Sequence, residues 1–100
     1  MKTIILNGKE QKTPTEVYNY IYEQLNDGYL LGKNAYALWD FLTTGVERPF
    51  KIKWINTELF AQNNPQDFEL LKELFNKLVN FDIEMKLDKK IEFSSNNISD

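Results

Sequence analysis

The chain has 100 residues, 42% hydrophobic and 14% aromatic, enough for one domain to bury a single core without metals or disulfides. It contains neither cysteine nor histidine, which removes thiolate and imidazole metal sites and nearly all base-assisted nucleophiles; carboxylates, Lys and Tyr remain as candidate acids and bases, and an enzyme is not expected. Twelve basic against 15 acidic side chains give a net charge of -3, which disfavours a polyanionic partner such as nucleic acid and leans towards a cationic one, and with neither Cys nor His present no metal or cofactor is expected.

Residues 1–6 begin like a secretory signal, but the apolar run stops at Asn7-Gly8-Lys9, and no segment approaches membrane-spanning length. A cytoplasmic protein without membrane contact is the expectation. Residues 4–6 read as a short strand closed by the Asn7-Gly8 turn signal. Thr13-Pro14-Thr15-Glu16 then supplies a helix start, with Thr as N-cap, Pro in the first turn and Glu at the capping-box position. Val17, Tyr20, Ile21 and Leu25 follow at helical spacing, with Gln24 the polar exception, and Asn26-Asp27-Gly28 gives a left-handed stop. Tyr18 and Tyr22 fall off that stripe one turn apart, and either form a second contact patch or are ordinary half-packed tyrosines.

A Gly-containing loop precedes a second helix, for which Asn34 is the expected cap. At about 100° per residue, Ala35, Leu38, Phe41 and Leu42 share one side and predict core, while Tyr36, Asp40 and Thr43 stack on the other. With Trp39, the second set reads as a face held against a partner. Thr44-Gly45 ends this helix. Residues 50–54 then alternate apolar with basic, which predicts a strand buried on one face with Lys51 and Lys53 on the wet side. A helical turn or two is expected over residues 56–62. Asn64-Pro65 opens a longer helix running to about Val79, with Phe68, Leu71, Leu74, Phe75 and Leu78 as its buried stripe.

Residues 82–87 alternate again and predict a third strand; residues 89–93 offer a fourth, antiparallel one after a turn at Asp88, and the last residues are expected to fray. Strands separated by helices imply parallel crossover units, hence a two-layer α/β fold with a three-stranded parallel sheet and three to four helices, one sheet face open to water. Residues 1–88 form the expected single domain and 89–100 a C-terminal extension.

Gly32-Lys33-Asn34-Ala35-Tyr36-Ala37-Leu38-Trp39-Asp40-Phe41-Leu42-Thr43 resembles the G-x-N-x-x-A-L-W-D-x-L-T segment of the barstar family, whose members inhibit secreted microbial ribonucleases. The likeness continues through Val46-Glu47-Arg48-Pro49 to Trp54 and appears near the start in residues 5–10, so that it spans most of residues 2 to 87. The resemblance implies a three-stranded parallel sheet and a monomer that forms a 1:1 complex with a ribonuclease or related toxin protein, an immunity role. It also implies that Asp40 is the family's central acid, flanked by Trp39, and that Leu30, Leu31, Gly32, Asn34, Thr43, Gly45 and Glu47 line the docking surface.

The chain departs from the family pattern at several of these positions. Tyr36 stands where the family has a second helical acid, Leu30 and Leu31 stand where it has aromatics, and Gly45 takes the place of a tryptophan after the T-G step. Lys77 aligns with an acid on the long helix, reversing one sign, and Glu73 lies one turn before it. Between Leu30 and Glu47 the charges are Lys33, Asp40 and Glu47, so the face is close to neutral. A face of that kind fits a less basic cleft, or a target that is no ribonuclease, in which case the protein is an interaction or regulatory module. A carboxylate-dependent enzyme built on Asp40 and Glu47 is disfavoured, because an outward helix face offers no water-restricted pocket.

Overall fold

In the computed structural model, residues 2–26, 34–44, 46, 48–86 and 90–95 are described. Three strands, β1 (Lys2–Asn7), β2 (Phe50–Ile55) and β3 (Glu92–Ser95), and four helices, α1 (Pro14–Asn26), α2 (Ala35–Thr44), α3 (Thr57–Asn63) and α4 (Pro65–Glu84), make a two-layer α/β fold. The sheet order is β1-β2-β3 and both pairings are parallel, with Ile4 beside Ile52, Leu6 beside Trp54 and Ile52 beside Phe93. Period-two alternation sends Ile4, Leu6, Phe50, Ile52 and Trp54 into the helical layer, where all are at most 1% exposed. The alternate set Thr3, Ile5, Lys51 and Lys53 is half-buried or exposed, as expected for a sheet covered on one face.

Local chemistry fixes the element ends. The Thr13 hydroxyl accepts the Glu16 N–H at 3.2 Å and donates to the Glu16 carboxylate at 3.1 Å, which starts α1. After β1, Asn7 Oδ1 accepts from the Lys9 N–H and from Asn56 Nδ2, both at 2.9 Å, tying the first turn to the end of β2. Gly8 lies against the Asn56 carbonyl so closely that a Cβ has no room. Asn64 Nδ2 donates to the Lys12 carbonyl at 2.8 Å, which joins that connection to the α3–α4 junction.

The buried face of α1 is broader than its predicted stripe. Tyr18 and Tyr22 are 5% and 0% exposed, and the Tyr22 ring meets Phe41 edge-on at 5.1 Å, so both belong to the core and neither forms a second contact patch. Burial pushes the Tyr22 phenol above its ordinary value; burial does the same to Tyr18, reinforced by the Asp67 carboxylate and by Tyr22.

The third strand lies elsewhere than predicted. Residues 82–84 continue α4 to Glu84, and Glu92–Ser95 pairs with β2 as the parallel third strand instead of forming an antiparallel fourth. The reason is Asp82, which falls on the same helical stripe as Leu71, Leu74, Phe75 and Leu78 and is 0% exposed. Its carboxylate accepts from Arg48 Nε at 3.0 Å, from Arg48 Nη2 at 2.8 Å and from the Ile91 N–H at 2.8 Å. Arg48 also donates to the Val46 carbonyl at 2.8 Å, so one buried ion pair joins the segment before β2, the end of α4 and the start of β3. The apolar residues whose alternation suggested a strand, Ile83 and Met85, are 54% and 59% exposed. The helix stops where Lys86 takes a φ of 56°, a left-handed position filled here without glycine.

Candidate protein-binding face on α2 and α4

Asn34 sets the start of α2: its Oδ1 accepts the Ala37 N–H at 2.8 Å and its carbonyl accepts the Leu38 N–H at 3.0 Å. The register this fixes buries Leu38, Phe41 and Leu42 and turns the opposite side outward. Tyr36 is 89% exposed, Asp40 is exposed, and Trp39 is half-buried with its ring edge-on to Phe81 of α4 at 5.8 Å. One turn on, the Thr43 hydroxyl reaches back to the Trp39 and Asp40 carbonyls at 2.9 and 3.2 Å, so it stabilises its own helix backbone.

Helix α4 lies beside α2 and supplies the facing wall. Lys77 Nζ stands 3.1 Å from the Glu73 carboxylate, in the pairing expected from their spacing, with the two side chains 66% and 64% exposed. Between the helices runs an open groove of about 510 Å³ lined by Ala35, Tyr36, Trp39, Leu70, Glu73, Leu74 and Lys77. Tyr36, Trp39 and Lys77 therefore share one concavity, while Asp40 lies one turn along α2 from Tyr36. Leu30, Leu31, Gly32, Gly45 and Glu47 fall outside the described residues. Sequence reasoning missed Leu70 as a lining residue and read Leu74 only as core. The available signal was the doublet Leu70-Leu71, in which only one leucine fits the buried stripe.

Among the described residues no group of three or more carboxylates is placed to hold a metal ion, and no helix is long and apolar enough to cross a membrane. Among the described residues the face offers the exposed Asp40 carboxylate on a capped helix, the Glu73–Lys77 pair, two aromatic rings and a shallow apolar groove, features suited to contact with another protein. The chain matches the family described as Barstar (barnase inhibitor) over residues 1–94, a span that takes in every strand and helix up to Phe93-Ser94. This protein belongs to the barstar family. Barstar-family proteins are inhibitors that bind ribonucleases.

Proposed function

We propose that this barstar-family protein is a stoichiometric inhibitor of a microbial ribonuclease or a related toxin, protecting the cytoplasm of the cell that makes it. The loop of residues 30–34 and helix α2 would enter the target's active site. The observation that carries this reading is the placement of Asp40, exposed on the outward side of a helix whose register is set by the Asn34 cap. A ribonuclease cleft holds RNA phosphate with guanidinium and ammonium groups, and a carboxylate presented at the phosphate position makes charge-assisted hydrogen bonds with the same donors. Substrate is excluded without any chemistry by the inhibitor.

In this scheme Trp39, packed on Phe81, keeps the Asp40 backbone rigid while its outer edge borders the target. Gly32 permits close approach of backbone, and Leu30, Leu31, Asn34, Tyr36, Thr43, Gly45, Glu47 and Lys77 complete the contact surface. Calorimetric titration with a barnase-like ribonuclease tests the proposal. A 1:1 complex should form, and Asp40→Ala should weaken it by about 2 kcal/mol or more, roughly 30-fold in Kd, because the target's cation loses its buried partner. An unchanged Kd in the variant would remove Asp40 from the interface.

A second reading has an observation of its own. Among the described residues of this face Tyr36 is 89% exposed and Lys77 is paired with Glu73, so little negative charge is added to that of Asp40. That favours a target with a less cationic cleft, including one that is not a ribonuclease. A non-nuclease partner that co-purifies while ribonuclease activity stays unaffected would select this reading.

A further inference from the structure

The groove between α2 and α4 differs in chemistry from the carboxylate beside it. It is lined by Ala35, Leu74 and Leu70, the last 48% exposed, and by the side chains of Tyr36 and Trp39. Among the described residues the charges lining it are Glu73 and Lys77, 3.1 Å apart and opposite in sign, so the lining carries no net charge. A guanidinium entering it would gain the ring faces of Tyr36 and Trp39, but it would shed water against Leu70 and Leu74, find the Glu73 carboxylate already engaged by Lys77 and be repelled by that ammonium. A carboxylate would suffer the same desolvation and meet Glu73. A neutral ring incurs neither penalty and gains edge and face contacts with two aromatic side chains.

We propose that this groove receives an aromatic side chain projecting from the target protein, next to the cationic cleft that Asp40 would enter. The inference rests on the reading of α2 as the target-facing helix and deepens it. The target is then a protein with an apolar knob beside its basic groups, one helical turn, or about 6 Å, from the point where Asp40 docks. Tyr36 and Lys77 become specificity residues, admitting a neutral ring where acids at the same positions would demand a cation.

The test needs no toxin. The 15N-labelled protein is titrated with N-acetyl-tryptophanamide and, separately, with N-acetyl-argininamide, and amide shifts are followed by NMR. The aromatic probe should move Tyr36, Trp39, Leu70 and Lys77 most, and the argininamide should leave the groove unmoved. Leu70→Glu, at a half-exposed position, should weaken the aromatic probe at least fivefold, and Tyr36→Ala, at a site outside the core, should do the same if the first variant folds poorly. Shifts scattered over the surface, an aromatic-probe affinity unchanged from the parent protein in both variants, or preference of the groove for argininamide would overturn the proposal. Failure here leaves the role of Asp40 intact, whereas an Asp40→Ala variant that binds ribonuclease normally removes the parent reading and not the groove's ligand chemistry.

Discussion

Replacing Asp82 with alanine should cost more stability than any surface change in the molecule. The carboxylate is fully buried and accepts three hydrogen bonds, two from Arg48 and one from the Ile91 N–H. The guanidinium left behind is 10% exposed, so water cannot replace the lost partner. Breaking a buried ion pair costs about 3 to 5 kcal/mol. An orphaned buried N–H at Ile91 adds about 1 kcal/mol or more. The total, about 4 to 6 kcal/mol, rivals the whole stability of a small domain, about 5 to 15 kcal/mol. Urea denaturation followed by far-ultraviolet circular dichroism should show Asp82→Ala largely unfolded, or its Tm lowered by about 20 °C. Arg48→Ala should lose about 3 to 5 kcal/mol, and the double variant less than the sum of the two, because it removes both charges together. A loss below about 1 kcal/mol in Asp82→Ala, or strict additivity in the double variant, would refute the assignment of Asp82 as the clamp.

Three further changes are diagnostic. Thr13→Ala should lower stability by about 1 kcal/mol in the same denaturation assay, through loss of the bonds to Glu16. Gly8→Ala should cost about 1 to 3 kcal/mol, because its Cβ meets the Asn56 backbone and a backbone cannot swing aside. Stability should fall as pH rises above about 10, the ordinary tyrosine value, since Tyr18 and Tyr22 hold their protons more tightly folded than unfolded. Their contribution is complete below that value and is lost as pH climbs through the raised folded values. Tyr18→Phe should flatten this alkaline limb in thermal melts.

Through Val79 the local rules and the tertiary fold agree, which is why most of the architecture could be read from sequence. Thr13, Asn34 and the Asn64-Pro65 step each mark a helix start by chemistry that acts within three or four residues. The alternation of Phe50 to Trp54 and the stripe from Phe68 to Leu78 each describe a single buried face. Past Val79 the deciding interaction is non-local: Asp82 is satisfied by Arg48, 34 residues earlier, and its place inside the core has no signature in its neighbours. The helix stop at Lys86 lacks the glycine that usually marks such a position. With α4 lengthened, the strand pattern at Ile83 and Met85 was a coincidence of exposed apolar residues. On α1, Tyr18 and Tyr22 widened the buried face because tyrosine rings also pack in cores.

The site divides along similar lines. The placement of Tyr36, Trp39, Asp40 and Thr43 away from the core side of α2 was legible because one helix carries them, and the Asn34 cap sets their phase. Lys77 was identified by its alignment on α4, and the structure places it opposite Tyr36 in a shared groove. Leu70 was not legible, since only the packing of α2 against α4 makes its exposed side a wall.

The most direct measurement is a titration of the protein into a fluorogenic RNA-cleavage assay of a barnase-like ribonuclease, beside Asp40→Ala and at low and moderate salt. Inhibition should saturate at one equivalent, weaken as salt screens the charges, and require a protein concentration roughly 30-fold higher or more in the variant. A folded protein that leaves cleavage unchanged at several equivalents would contradict the active-site block.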